Sequence, residues 1–329
     1  MTKQTGLGDH LAFGGYLIGG DVQSVSLHGG CAVIDVTDIT QSAHSRLGGL
    51  RDGELELTAF FDNAAGAAHA ALSPLTLNDV ITSYLRGQAI GNPVLCQQSR
   101  QLNYDPARGN TGELTEKVTC QADRYGQEWG VQLTAGPRTD TAAANGASLN
   151  RSAASLWGAQ AYLQAIALTG TDVTVTVQHS PDNATWSTLL AFAEIVSSAS
   201  NLPPSAQRAA TFSGPFTATD ASPAVFTAPG SALANGTPVA LAATSGGTST
   251  VLPGGFSVAT EYFVVGASGT SFSLAATSGG SAIASSSAGS GTVYQAVQQY
   301  VRAITSTSGG FTSFEFIAAL MANPVAVTF

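Results

Sequence analysis

The sequence predicts an all-β protein with one short helix, and three observations predict it. Apolar and polar residues alternate with period two in GELELTAFF (53–61) and in DVTVTV (172–177). That spacing turns one face of a strand inward and the other outward. The 329 residues include 37 Gly and 13 Pro, which break a chain into short strands and turns. Charged residues are only 10%, against about a quarter in ordinary soluble domains. Ala, Ser and Thr fill the gap, and 44% hydrophobic content is enough to build cores.

In chain order, residues 11–18, 22–27, 32–36 and 54–61 read as strands bounded by Gly or Asp. In the last of these, Glu54, Glu56 and Thr58 share one face, while Leu55, Leu57 and Ala59 share the other. Asn63 then opens NAAGAAHAALSPL, where Asn is a good N-cap, Ala favours helix and Pro74 stops it. Strands follow at 79–85, 92–101, 113–122 and 129–134. LNYDPARGNTG (102–112) separates two of them and is longer than a hairpin needs. TDTAAANGASLN (139–150) reads as a linker.

A second unit begins near Ser155, with a hairpin over 173–190 that turns at SPDN. From Gly214 to Tyr294 there is no Lys or Arg, and only Asp220 and Glu261 are acidic. This stretch repeats itself, LAATSGGTS at 241–249 echoing as LAATSGGSA at 274–282. Alternation resumes over 297–322, so a small β-sandwich is expected to sit in a loop of the second unit. Exposed loops tolerate such insertions. The expected division is 1–138, a linker 139–154, then 155–214 with 295–329, and 215–294 inserted.

Chemistry is harder to find. Net charge is −9, which argues against gripping nucleic acid by its phosphates. Cys31, Cys96 and Cys120 form no CxxC, and the five His form no HxH or HExxH, so no metal or cofactor is expected. DVTD lacks the rest of a calcium-binding loop. His179, Ser180 and Asp182 fall in one tight turn, too close in sequence for a catalytic triad. Glu54 and Glu56 stand roughly 7 Å apart along a strand, a spacing seen in glycoside hydrolysis, but a solvated strand face accounts for them more simply. No enzyme is expected. The first twenty residues do not read as a signal peptide, and no stretch approaches the roughly 20 apolar residues that span a bilayer.

Two segments carry a family resemblance. IGGDVQSVSLHGGCAVIDVTDITQSAHSRLGGLRDGELELTAFFD and LNYDPARGNTGELTEKVTCQADRYGQEWGVQL, within the first 136 residues, resemble the tail tube (major tail) proteins of long-tailed, siphovirus-type bacteriophages. Residues 155–213 with 297–322 resemble β-sandwich domains attached to phage tails. Residues 215–294, with NGTPVAL, LPGGFSVATEYFVV and TSFSLAATSGG, resemble an Ig-like module of phage structural proteins.

The resemblance implies a tail-tube β-sandwich or barrel followed by two decorating β-sandwiches. It implies a virion protein, assembled in the host cytoplasm, whose copies form hexameric rings that stack into a hollow tube. The implied partners are other copies, the tape-measure protein, the tail terminator and distal tail proteins, with DNA passing through the lumen. No cofactor and no membrane insertion are implied. Glu54, Glu56 and Thr58 are then the expected lumen-facing residues. Tyr104, Asp105, Arg108 and Asn110 are the expected contacts between subunits or rings: Asp105-Pro106 stiffens their loop, and Tyr and Arg suit interface centres. The alternative is a surface adhesin or carbohydrate-binding β-sandwich of a virion, which the Ser/Thr/Gly-rich 214–294 stretch suits.

Overall fold

The computed structural model describes residues 5–75, 79–198 and 202–326. Among them every regular element is a strand except one helix, Ala68–Leu72. A 13-stranded sheet is the frame. Its main path runs Ser205–Ala210, Ala159–Gly170, Phe311–Ala322, Glu128–Gln132, Pro93–Gln101, Val80–Leu85, His10–Phe13 and Tyr16–Leu17. A branch leaves Pro93–Gln101 through Leu114–Ala122 to Arg46–Phe60 and then Val22–Asp35.

The sheet joins residues from both sides of the expected linker. Val131 and Gln132 pair with Leu320 and Ala319. The stretch read as linker is itself partly strand: Arg138–Asp140 pairs with Phe314 to Phe316, and Leu149–Asn150 with Tyr300 and Val301. Strands this short have no alternation to read, and only their distant partners make them strands.

The two ends of the main path approach each other. Gly15 N donates to Gln164 Oε1 at 2.7 Å, and Gln164 Nε2 donates to Ile81 O at 2.9 Å. Gly15 has φ +92°, and a Cβ there would lie 2.2 Å from Ser205 N. Glycine is therefore required where this turn presses on the neighbouring backbone. Ile81, Val94, Tyr162, Ile317 and Met321 fill the space behind it.

A five-stranded sheet packs on part of this frame, built from Leu149–Asn150, Tyr300–Ser306, Asp172–Ser180, Ser187–Ala191 and Ile195–Val196. Val173, Val175 and Val177 meet Ala161, Leu163, Phe314 and Phe316 in one buried cluster. This is the sandwich that the DVTVTV alternation implies, each large side chain contributing about 1.5–3 kcal/mol by burial.

Residues 213–295 close six strands into a barrel: Ser213–Ala218, Phe226–Thr227, Ser271–Ala275, Glu261–Ser268, Pro238–Ala242 and Gly289–Gln295. The small unit expected as a sandwich thus joins its edges into one closed sheet. Phe226 lies at its centre, fully buried, stacked on Phe272 at 5.7 Å and edge-on to Phe256 at 5.0 Å. The chain enters and leaves on adjacent strands, Ser213 facing Tyr294. Both copies of the repeat run from a strand end into a glycine turn: Thr244 and Ser245 fold back on Thr248 and Ser249, and Ala275 bridges to Ala282.

Two local readings need correction. The helix begins at Ala68, not at Asn63. Asp62 Oδ1 accepts from Ala64 N at 2.8 Å and holds that segment in a turn. The first helical N–H, of Ala68, is met instead by Asp21 Oδ2 at 3.0 Å, a distant residue acting as cap. Second, the strands read at 22–27 and 32–36 are one strand, Val22–Asp35. His28-Gly29-Gly30 reads as a break locally, but pairing to Arg46–Phe60 carries the ladder through it.

Candidate assembly surface

The strands Val22–Asp35 and Arg46–Phe60 form a ribbon that outgrows the sheet. Its root is packed on both sides: Leu55, Leu57 and Ala59 are buried, and Leu114–Ala122 pairs along it from Thr115 to Gln121. That pairing stops at Glu54, so from Gly53 to Arg46 the two strands, among the described residues, have only each other as ladder partners. Eight strand residues make an arm of roughly 25 Å. Val33 is 64% exposed, Leu47 56% and Leu50 88%, and Ile39 at the tip is fully exposed.

The arm is well formed despite its exposure. At the tip Thr37 N donates to Asp35 Oδ1 at 3.0 Å, Thr40 N to Asp38 Oδ1 at 2.8 Å, and Ser45 N to Thr37 Oγ1 at 2.9 Å. The Thr37 hydroxyl, then its N–H, holds Asp35 below the usual carboxylate range, and the Thr40 hydroxyl, then its N–H, does the same for Asp38. At the root a Cβ on Gly29 or Gly53 would meet the Gln127 side chain at 2.6 Å. Gln127 lies across this glycine pair and donates to Glu54 O at 2.9 Å, clamping the arm to the sheet.

Glu54, Glu56 and Thr58 lie half-buried on one face of the root, opposite the buried Leu55, Leu57 and Ala59. Ser24, Ser26 and His28 flank them on one side; Lys117, Thr119 and Gln121 flank them on the other. Lys117 Nζ is 3.6 Å from Glu56 Oε1. The face is polar throughout, with both signs of charge. His28, Glu54 and Glu56 bring ligand atoms within 4.8 Å of one another, a grouping invisible in the sequence.

The 102–112 segment is less of a loop than expected. Asp105–Arg108 is an edge strand, with Asp105 facing Lys117 and Arg108 facing Leu114. Pro106 suits such an edge, where no ladder donor is needed. Asp105, Arg108 and Asn110 are exposed. Tyr104 is not: it is half-buried and packs against the core. Its hydroxyl donates to Glu116 Oε1 at 2.5 Å and lies 2.7 Å from His69 Nδ1. Glu116 is fully buried, so Tyr104 helps satisfy a carboxylate inside the fold. Burial, then the hydrogen bond to Glu116, pushes the Tyr104 hydroxyl pKa up.

Other sites are structural. Asp182 accepts from Thr185 N at 2.7 Å, Ala184 N at 2.9 Å and Ser180 Oγ at 2.8 Å, which hold it well below the usual carboxylate range. His179 points elsewhere, buried, its Nδ1 accepting from Gln298 N at 3.2 Å. Burial lowers its pKa to about 4. Half-buried Arg208 and buried Glu128 pair at 3.4 Å, with the Arg208 guanidinium 3.5 Å over the Tyr125 ring. Tyr162 hydroxyl also donates to Glu128. Neither this cluster nor the arm's exposed apolar residues carry a signal in the sequence, since both depend on which strands become neighbours.

No protein-family model and no curated protein matches the sequence. Several solved chains are similar, among them the following three. One is a chain of the tail of an empty gene transfer agent particle refined with C6 symmetry: TM-score 0.28, 13% identity, 32% of this chain and 79% of that one. Another is from the virion of a native gene transfer agent particle: TM-score 0.31, 11% identity, 37% and 96%. The third is the SPP1 Dit protein, described as a paradigm of the hub adsorption apparatus in phages infecting Gram-positive bacteria: TM-score 0.25, 10% identity, 90% and 98%.

Proposed function

We propose that this chain is a structural protein of a phage tail, whose copies join through the arm into hexameric rings that stack as a tail tube. The arm is the observation that carries the reading. A lone subunit leaves Val33, Leu47 and Leu50 in water, along with unpaired backbone groups on the outer edges of a two-stranded ribbon. Exposed apolar edges of this kind are an aggregation hazard unless a partner covers them. Laying the arm on the next subunit's sheet covers both, and a head-to-tail contact that closes makes a ring. The sequence resemblance to tail tube proteins supports the same reading.

In this arrangement the polar face of Glu54, Glu56 and Thr58 lines the lumen, around the tape-measure protein and later the DNA. Lys117 is already paired there, so the face offers phosphates little net attraction. Asp105, Arg108 and Asn110 meet neighbouring subunits or rings, and the 213–295 barrel is a decoration inserted into the second unit.

The test is electron microscopy and mass measurement of the purified full chain and of a variant with residues 31–50 replaced by a short Gly/Ser turn. The full chain is expected to form rings or tubes, and the shortened one to stay a folded monomer. Rings from the shortened chain would remove the arm's role. A monomeric full chain that binds a glycan array would favour the adhesin reading instead.

A further inference from the structure

We propose that His28, Glu54 and Glu56 form a binding site for a divalent transition-metal cation of the zinc type, on the polar face at the root of the arm. His28 and Glu54 face each other directly across the ladder. Glu56 is two residues further along the same strand and therefore on the same side. Their ligand atoms lie within 4.8 Å of one another. A zinc ion held at about 2.0–2.2 Å from nitrogen and oxygen needs its ligands a little closer than that, a distance side-chain rotation supplies.

Two features favour a cation here over a chance cluster. First, the backbone is fixed: Arg46–Phe60 is held at Glu54 and Glu56 between Val22–Asp35 and Leu114–Ala122. Ligands on paired strands cannot drift apart as ligands on a loop can. Second, two carboxylates side by side repel each other, and among the described residues the ion pair that offsets them is Lys117, 3.6 Å from Glu56. A divalent cation neutralises both. One imidazole with two carboxylates selects zinc-type ions over magnesium and calcium, which prefer oxygen-only sites. Three protein ligands leave the remaining positions to water. The site lies within one subunit and does not depend on ring formation.

The experiment is calorimetric titration of Zn²⁺ into the full chain freed of metal by chelation, repeated with Mg²⁺ and Ca²⁺. One saturable Zn²⁺ per chain is expected, with Mg²⁺ and Ca²⁺ far weaker. His28→Ala, Glu54→Gln and Glu56→Gln should each weaken binding by about tenfold or more, since even outer-shell losses cost that much. Lys117→Met should tighten it by removing a competing cation. All four positions are on the surface or half-buried, and circular dichroism checks that each variant folds. NMR of the imidazoles should show His28 perturbed by Zn²⁺ ahead of His10, His44 and His69. No saturable binding, undiminished binding in His28→Ala, or a preference for Ca²⁺ overturns the assignment.

Discussion

The arm and the small barrel are made of similar strands, yet they treat their edges in opposite ways. In the barrel six strands pair in a closed circuit, and Phe216, Phe226, Phe256 and Phe272 point inward. In the arm two strands pair only with each other, and Val33, Leu47 and Leu50 point into solvent. The barrel stretch is almost free of charge, while the arm carries Asp35, Asp38, Arg46, Arg51 and Asp52. Composition alone would make the barrel the sticky part. Strand closure reverses that: a sheet without edges needs no partner, whereas an open ribbon does. Binding capacity here follows unpaired edges and exposed apolar area rather than the overall balance of polar and apolar residues.

The sharpest way to break this contrast is to disrupt each side of it in turn. Leu50→Glu with Val33→Glu in the arm should abolish assembly in electron micrographs and leave the melting temperature within a degree or two. Phe226→Ala in the barrel should do the reverse, costing about 3–5 kcal/mol of that barrel's stability by calorimetry while rings still form. If the arm variant still assembles, or the barrel variant fails to, the contrast is wrong.

Acid probes the joint between the barrel and the sandwich. His179 accepts from Gln298 N, and Gln298 Nε2 donates to Glu261 Oε1 on a barrel strand at 2.6 Å. The imidazole pKa is lowered to about 4 when folded, against an unfolded value near 6.5. Between those values the unfolded chain binds a proton that the folded chain refuses. Stability from this group is therefore complete above about pH 6.5 and falls as pH drops toward 4, by up to about 3 kcal/mol. Denaturant unfolding of the wild type and of His179→Gln across this range should differ in slope, and parallel curves would refute it.

A smaller effect is expected at Tyr104. Tyr104→Phe keeps the ring and deletes the donor to the buried Glu116, which should cost about 1–3 kcal/mol. Arg108→Ala, exposed on the edge strand, should leave stability unchanged and act only on assembly. Equal stability for Tyr104→Phe and the wild type would show that Glu116 finds another partner. The smallest effect is expected from removing residues 216–294 behind a short Gly/Ser linker. Because the barrel's entry and exit strands are adjacent, the remaining sheets should fold and assemble as before. Aggregation of this variant would mean that the barrel is part of the frame.

Much of the secondary structure was readable in the sequence because it is a local property. GELELTAFF alternates, and Leu55, Leu57 and Ala59 are buried while Glu54, Glu56 and Thr58 are not. SPDN reads as a turn, and Asp182 closes it through backbone N–H groups two and three residues on. Local rules failed where a distant residue supplied the partner. Asp21 caps the helix in place of Asn63, the ladder with Arg46–Phe60 carries a strand through His28-Gly29-Gly30, and Glu116 draws Tyr104 into the fold from a segment that reads as an interface loop.

The sequence by itself determined that the chain is built of β-strands, which face of the best-patterned strands is apolar, and where several turns fall. Each depends on side-chain period or turn chemistry within a few residues. Only the tertiary structure decided which strands became neighbours. That choice set Val131 beside Leu320, closed one set of edges and left another open, and placed His28 across from Glu54. Register is the reason: strand pairing is a contact between residues far apart in the chain, and nothing in either strand's own pattern names its partner.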